Sequence, residues 1–187
     1  MWARENFGAG NELFSTPGSF VQWGENRNNY VSHKYKFVDK LPYGSNSHLT
    51  KYNKKDHLLF LQPLDDIAHV KWGGNWQIPT VSQWEELISY CVVEEIAIWN
   101  VTQPYLIIRS RLNGNRINLP LVGFMSGNTL LSWGEGFYWA NSIHLSDNDD
   151  DGSTANYLYI SPQEDLYISS SPRWLGMLIR PCFKKRK

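Results

Sequence analysis

Asp147-Asn148-Asp149-Asp150-Asp151-Gly152 is the densest run of chemistry-bearing side chains in this sequence. Carboxylates at 147, 149 and 151 alternate as in the front half of a calcium loop, and Gly152 supplies the turn. An EF-hand counted from Asp147 needs a bidentate Glu at the twelfth position, where this chain has Leu158. Asp147, Asp149 and Asp151 are therefore expected to hold calcium only with ligands from another loop. The competing reading is an acidic turn whose like charges keep it extended. No cofactor is required by the sequence, and calcium is the candidate.

Tyr157, Tyr159 and Tyr167 form a second set, alternating with Leu158, Ile160, Leu166 and Ile168. A strand points successive side chains to opposite faces. If the aliphatic residues face a core, the tyrosines are displayed, with Asn156, Arg173 and Trp174 nearby. Aromatic faces of this kind stack on sugar rings or peptide side chains. The competing reading makes the tyrosines a second core layer under a long loop.

Catalytic patterns are thin. The five histidines (33, 48, 57, 69 and 144) have neither H-x-x-x-H nor H-E-x-x-H spacing, so no zinc site is expected. There is no G-x-S-x-G elbow and no phosphate loop. Glu85 and Glu86 are neighbours on a helix and diverge, which makes a poor acid–base pair. No enzyme is expected. Cys91 and Cys182 are either two buried thiols or one bridge, and residue spacing favours the thiols because Cys91 follows an apolar helical stripe.

These groups need a frame, and composition sets its limits. The 187 residues suit one domain, 1–187, with a polar loop excursion at about 26–62. Lysine plus arginine and aspartate plus glutamate both number 18, so no basic field points to nucleic acid. No apolar run is long enough to insert this segment in a membrane. Nine Trp and ten Tyr supply large rigid surfaces suited to a stapled core or a binding face.

Trp72-Gly73-Gly74-Asn75-Trp76 reads as a fixed corner, because paired glycines take backbone conformations other residues resist. Residues 64–71 are expected to form a short helix stopped by that corner. Thr80 and Gln83 form a capping box that opens a second helix. Its inner face is Val81, Trp84, Leu87, Ile88 and Cys91. A hairpin follows, from 105–112 through a type I′ turn at Asn113-Gly114 to 116–119. Ile108, Leu112, Ile117 and Leu119 are expected to face the core. Short strands are expected at 137–140, 157–160 and 166–168, and 176–181 reads as a strand buried on both faces.

The ordered set resembles the bacterial family called the Fibrobacter succinogenes major paralogous domain. Its carriers are Trp2-Ala3, Asn6, Gly8-Ala9, Trp23-Gly24-Glu25, Asp65-Asp66, Ala68, Trp72-Gly73-Gly74, Trp76, Pro79-Thr80 and Trp84 to Ile88. The later ones are Asn118-Leu119-Pro120, Gly123-Phe124, Tyr138-Trp139 and Ile179-Arg180-Pro181. The resemblance implies an α+β, C-type-lectin-like, loop-rich fold. Two helices pack on short twisted antiparallel sheets, and adjacent N and C termini pair 2–3 with 177–181. It also implies a non-enzymatic ligand-recognition or adhesion module, extracellular or on the outer cell surface of a bacterium. Such a module is a monomeric domain of a larger surface protein whose leader or anchor lies outside this segment. It takes glycan or protein through its C-terminal loops. The alternative is a structural or assembly subunit of a surface filament, and an oxidase-like enzyme on the same fold ranks last. Glu5 stands where family members often have Cys and Cys182 where Val is common, so the family pattern supports neither a bridge from position 5 to Cys91 nor one between Cys91 and Cys182, and the latter stays open.

Overall fold

The computed structural model describes residues 1–10, 16–26, 43–45, 48–145, 152–163 and 165–184. Much of the 26–62 excursion and all of Asp147, Asp149 and Asp151 lie outside the described residues.

The fold is α+β, built of small antiparallel sheets and two helices. Strands β1 (Gly44–Ser45) and β2 (His48–Leu49) form a minimal hairpin. Helix α1 spans Ile67–Trp72 behind a single 3-10 turn at Pro63–Asp65. Asp66 caps α1, accepting the amides of Ala68 at 2.9 Å and His69 at 3.2 Å. Its other oxygen accepts the Ile78 amide at 2.8 Å, so one carboxylate fixes both the helix start and the chain beyond the Gly-Gly corner. Gly73 ends α1 at φ 68°, and a Cβ there would meet nothing within 4 Å. Backbone conformation alone demands the glycine.

Strand β3 (Trp76–Gln77) leads to helix α2 (Val81–Tyr90), which opens with the expected capping box between Thr80 and Gln83. Trp84 and Leu87 point inward. Cys91 is not on the helix. It is the C-cap and first residue of β4 (Cys91–Ala97), a strand the periodicity did not announce. β4 pairs with β5 (Tyr105–Ser110), which pairs with β6 (Arg116–Pro120). The β5–β6 register sets Ile108 opposite Ile117 and Leu106 opposite Leu119. Its turn is longer than a two-residue type I′: Arg111 to Gly114 loop out, and Ser110 closes on the Asn115 carbonyl at 2.8 Å. Leu112 therefore sits on the turn, 75% exposed, rather than in the core.

Strands β7 (Phe124–Ser126) and β8 (Thr129–Leu131) make a hairpin, and β9 (Gly136–His144), β10 (Thr154–Ile160) and β11 (Leu166–Pro172) make the central sheet, ordered β11-β10-β9. Alternation divides this sheet between two cores. Phe137, Trp139, Ile143, Ala155 and Tyr157 join Trp23, Tyr52 and Met177 on one face. Tyr138, Ala140, Leu158 and Ile160 join Trp84, Leu106 and Leu119 on the other. Between Ala155 and Tyr157 the register slips, with β9 running from Ile143 to Trp139. The bulged β9 backbone turns to other partners: the Trp23 indole donates to the Ala140 carbonyl at 2.8 Å, and Leu61 to the Asn141 carbonyl at 2.8 Å. Trp139 reciprocates, its indole donating to the Val21 carbonyl at 2.8 Å.

Residues 175–181 are buried throughout and reach three neighbours by single bridges, Gly176 to Met125, Met177 to Val21 and Leu178 to Tyr138. The chain ends pair. Ala3 donates to the Pro181 carbonyl at 2.9 Å and Phe183 to the Met1 carbonyl at 2.7 Å. Strand β12 (Cys182–Phe183) also pairs with β3. Among the described residues no helix is long and apolar enough to cross a membrane.

Candidate functional site

The central sheet brings two of the three tyrosines to the surface in a graded strip. Tyr159 and Tyr167 are register partners on β10 and β11, with ring centroids 5.1 Å apart. Tyr159 also meets Phe137 at 5.3 Å, and Phe137 meets Phe124 at 4.8 Å and Tyr157 at 5.6 Å. The strip runs from exposed Tyr167 through half-buried Tyr159 into the core. A chain of interlocked rings loses little conformational freedom when a ligand docks on its outer end. Burial pushes the Tyr159 phenol up to about 12, with the Glu135 carboxylate beside it adding to the shift. The hydroxyl stays protonated and donates toward Glu135, a donor–acceptor pair suited to a hydroxyl-bearing or amide-bearing ligand.

Tyr157 departs from the expected display. It is 8% exposed, stacked on Phe137 and edge-on to Trp139 at 6.2 Å. The reason is the two-sided burial of the sheet: aliphatic residues on one face no longer imply exposed partners on the other. Asn156 lies at the bulge, and its amide donates to Ser142 Oγ and the Ile143 carbonyl, both at 3.0 Å. It satisfies the backbone that the bulge leaves over. Trp174 is half-buried on the core, and its carbonyl accepts from Gln22 at 3.1 Å.

Arg173 is the clearest correction, because it is fully buried rather than displayed. Its guanidinium lies 4.6 Å from the Trp23 ring and donates to the carbonyls of Tyr52 at 3.0 Å and Gly152 at 3.1 Å. It ties the 51–52 turn to the start of β10. The same neighbourhood holds Asp65, which accepts from Lys51 at 2.6 Å and from the Tyr52 hydroxyl. Burial alone would raise the Asp65 carboxyl, but hydrogen bonds from Lys51, Tyr43 and Tyr52 hold it below the usual range. Burial, with Asp65 opposite, raises both tyrosines.

The calcium expectation at Asp147, Asp149 and Asp151 falls outside the described residues. Among the described residues no group of three His, Cys, Asp or Glu could hold a metal ion. Cys91 and Cys182 are free thiols lining one cleft of about 940 Å³ between α2, the chain ends and the β5–β6 turn. Burial pushes Cys182 up to about 12 and raises Cys91 as well, so neither is a ready thiolate at neutral pH.

Sequence reasoning passes over Trp99 and Trp133, which are 83% and 56% exposed. Each adjoins a non-glycine residue in the left-handed region, Asn100 at φ 61° and Ser132 at φ 56°. Their loops are drawn together through Leu121, which donates to the Pro104 carbonyl at 2.8 Å and accepts from Gly134 at 3.0 Å. The one signal for them was indoles outside any periodic segment, each beside a turn-forming residue. Trp133 lies in the turn between β8 and β9, two residues before Glu135. Comparison of the chain with protein families, with curated proteins and with solved structures returns no match.

Proposed function

We propose that this chain is a non-enzymatic recognition module of C-type-lectin-like fold, secreted or displayed on a bacterial surface, that binds glycan or a surface protein. The binding surface is the strip Tyr167–Tyr159–Glu135. The observation that carries the reading is the ring ladder itself, which joins an exposed phenol to the central sheet and the buried rings beneath it. Recognition normally sits on surface groups held by a stiff scaffold. The paired chain ends agree with a domain carried on a longer surface protein.

A glycan array and a surface-proteome pull-down, each run with calcium and with chelator, test this reading. Tyr159→Ala and Tyr167→Ala should both remove the signal while the far-UV circular dichroism and melting profile remain those of a folded domain. A ligand retained by both variants overturns the strip. Exposed Trp99 and Trp133 favour one second reading, a structural subunit that packs against copies of itself. Gel filtration that stays monomeric at high concentration argues against it.

A further inference from the structure

The N-terminal segment and the β5–β6 hairpin enclose a separate cavity of about 230 Å³, none of whose lining residues lies on β9, β10 or β11. The volume is below the range of about 300–1,000 Å³ that holds drug-sized ligands, so the occupant is small. Arg180 lines it and is 1% exposed. Its Nε donates to Asn6 Oδ1 at 2.7 Å, its Nη1 to the carbonyls of Ala3 at 3.3 Å and Arg4 at 2.6 Å, and its Nη2 to the Asn118 carbonyl. The Tyr138 hydroxyl is a further partner. Every one of these groups is neutral. Among the described residues no carboxylate lies within ion-pair distance of Arg180. Glu5 acts on it only through space, and burial lowers it to about 10, which leaves it charged at neutral pH.

A buried cation held by dipoles alone leaves a positive potential in the adjoining space. Arg4 and Arg116 add to it from the same wall. Glu94 grips Arg116 through Nε and, at 2.7 Å, Nη2, but it does not line the cavity. Among the described residues three guanidinium groups thus stand against two carboxylates, Glu5, which lines the cavity, and Glu94, which does not. The rest of the wall includes Ile107, Pro120, Pro17 and Ala9, which are apolar.

We propose that this cavity binds a small organic acid, with its carboxylate toward Arg4, Arg116 and Arg180 and its aliphatic body on Ile107 and Pro120. Arg180 has its N–H groups engaged, so it contributes field, while the exposed guanidinium of Arg4 and the Nη1 of Arg116, the edge that Glu94 does not grip, contribute direct donors. A phosphate would want more convergent donors than this wall presents.

The test is a 15N-resolved NMR titration of the whole chain with sodium propionate, with propionamide as the neutral isostere and sodium chloride at matched ionic strength. Propionate should shift the amides of Arg4, Gln103 and Asn118 saturably, and the other two should not. The double variant Arg4→Gln, Arg116→Gln should weaken propionate about five- to tenfold, the sum of two exposed charge contacts, with an unchanged melting profile because both side chains are exposed. Equal shifts from propionamide or chloride, no saturable shift from propionate, or undiminished binding by the double variant each overturn the proposal.

Discussion

Among the described residues Arg173 and Arg180 are the two cations that the fold removes from water, and both are held by carbonyl oxygens distant in sequence. Replacing Arg173 by Met strips several buried carbonyls of their donor at once. We expect a loss of about 3 kcal/mol or more in urea unfolding, since unsatisfied buried groups cost about 1–3 kcal/mol each. Asp66 makes the opposite electrostatic statement. Burial pushes its carboxyl from 3.8 to about 6, against the pull of its three amide donors. The folded state therefore holds that proton more tightly than the unfolded state. Its contribution to stability is full below 3.8 and is lost as pH rises through about 6. The change is on the order of 3 kcal/mol. Melts from pH 3.5 to 7 should show this falling component in the native chain, and Asp66→Asn should lack it. Neither Arg173 nor Asp66 was legible as buried from sequence, where a charged side chain belongs at the surface unless its partners are known. Those partners are backbone groups that only the fold assembles.

At the scale of single elements, the local signals held. The Thr80–Gln83 box and the α1 stop at Gly73 depend on residues three or four apart, and both were readable. Thr80→Ala should cost about 1 kcal/mol in thermal or urea unfolding. Gly73→Ala should cost about 1–2 kcal/mol, all of it conformational, because the added methyl has open space. The β4 strand was hidden by its bulge. Val93 and Glu95 face consecutive residues of β5, which leaves Glu94 extra. Two adjacent glutamates break alternation, yet the bulge lets Glu94 reach Arg116 while Glu95 accepts from Tyr105 at 2.6 Å. The β5–β6 turn misled for a related reason: Asn-Gly is a strong two-residue signal, but Arg111 and Leu112 also leave the ladder.

For the molecule as a whole, the governing fact is a central sheet buried on both faces. Strand alternation was legible from the tyrosines and their aliphatic neighbours, but which face meets water was not. That depends on the N-terminal third, whose Trp23 and Tyr52 cover the tyrosine face. A graded mutant series follows. Tyr157→Ala should cost about 3 kcal/mol or more as a core truncation. Tyr167→Ala should cost under about 1 kcal/mol, and Tyr159→Ala should fall between them, all measured by urea unfolding. Equal costs would contradict the gradient. The same long-range dependence explains why the Arg180 cavity had no sequence signature: its described walls come from residues 4–10, 16–17, 103–120 and 180.

The junction of Met1–Ala3 with Pro181–Phe183 has a mechanical corollary. The two segments run antiparallel, with Met1 opposite Phe183. Tension pulling the extremities apart would load these hydrogen bonds one after another, like a zip, instead of shearing them together. The outermost pairs would then part first and re-form last. A tether attached at that corner would find a seam that yields at low force and recloses, while the indole-pinned interior remains folded behind it.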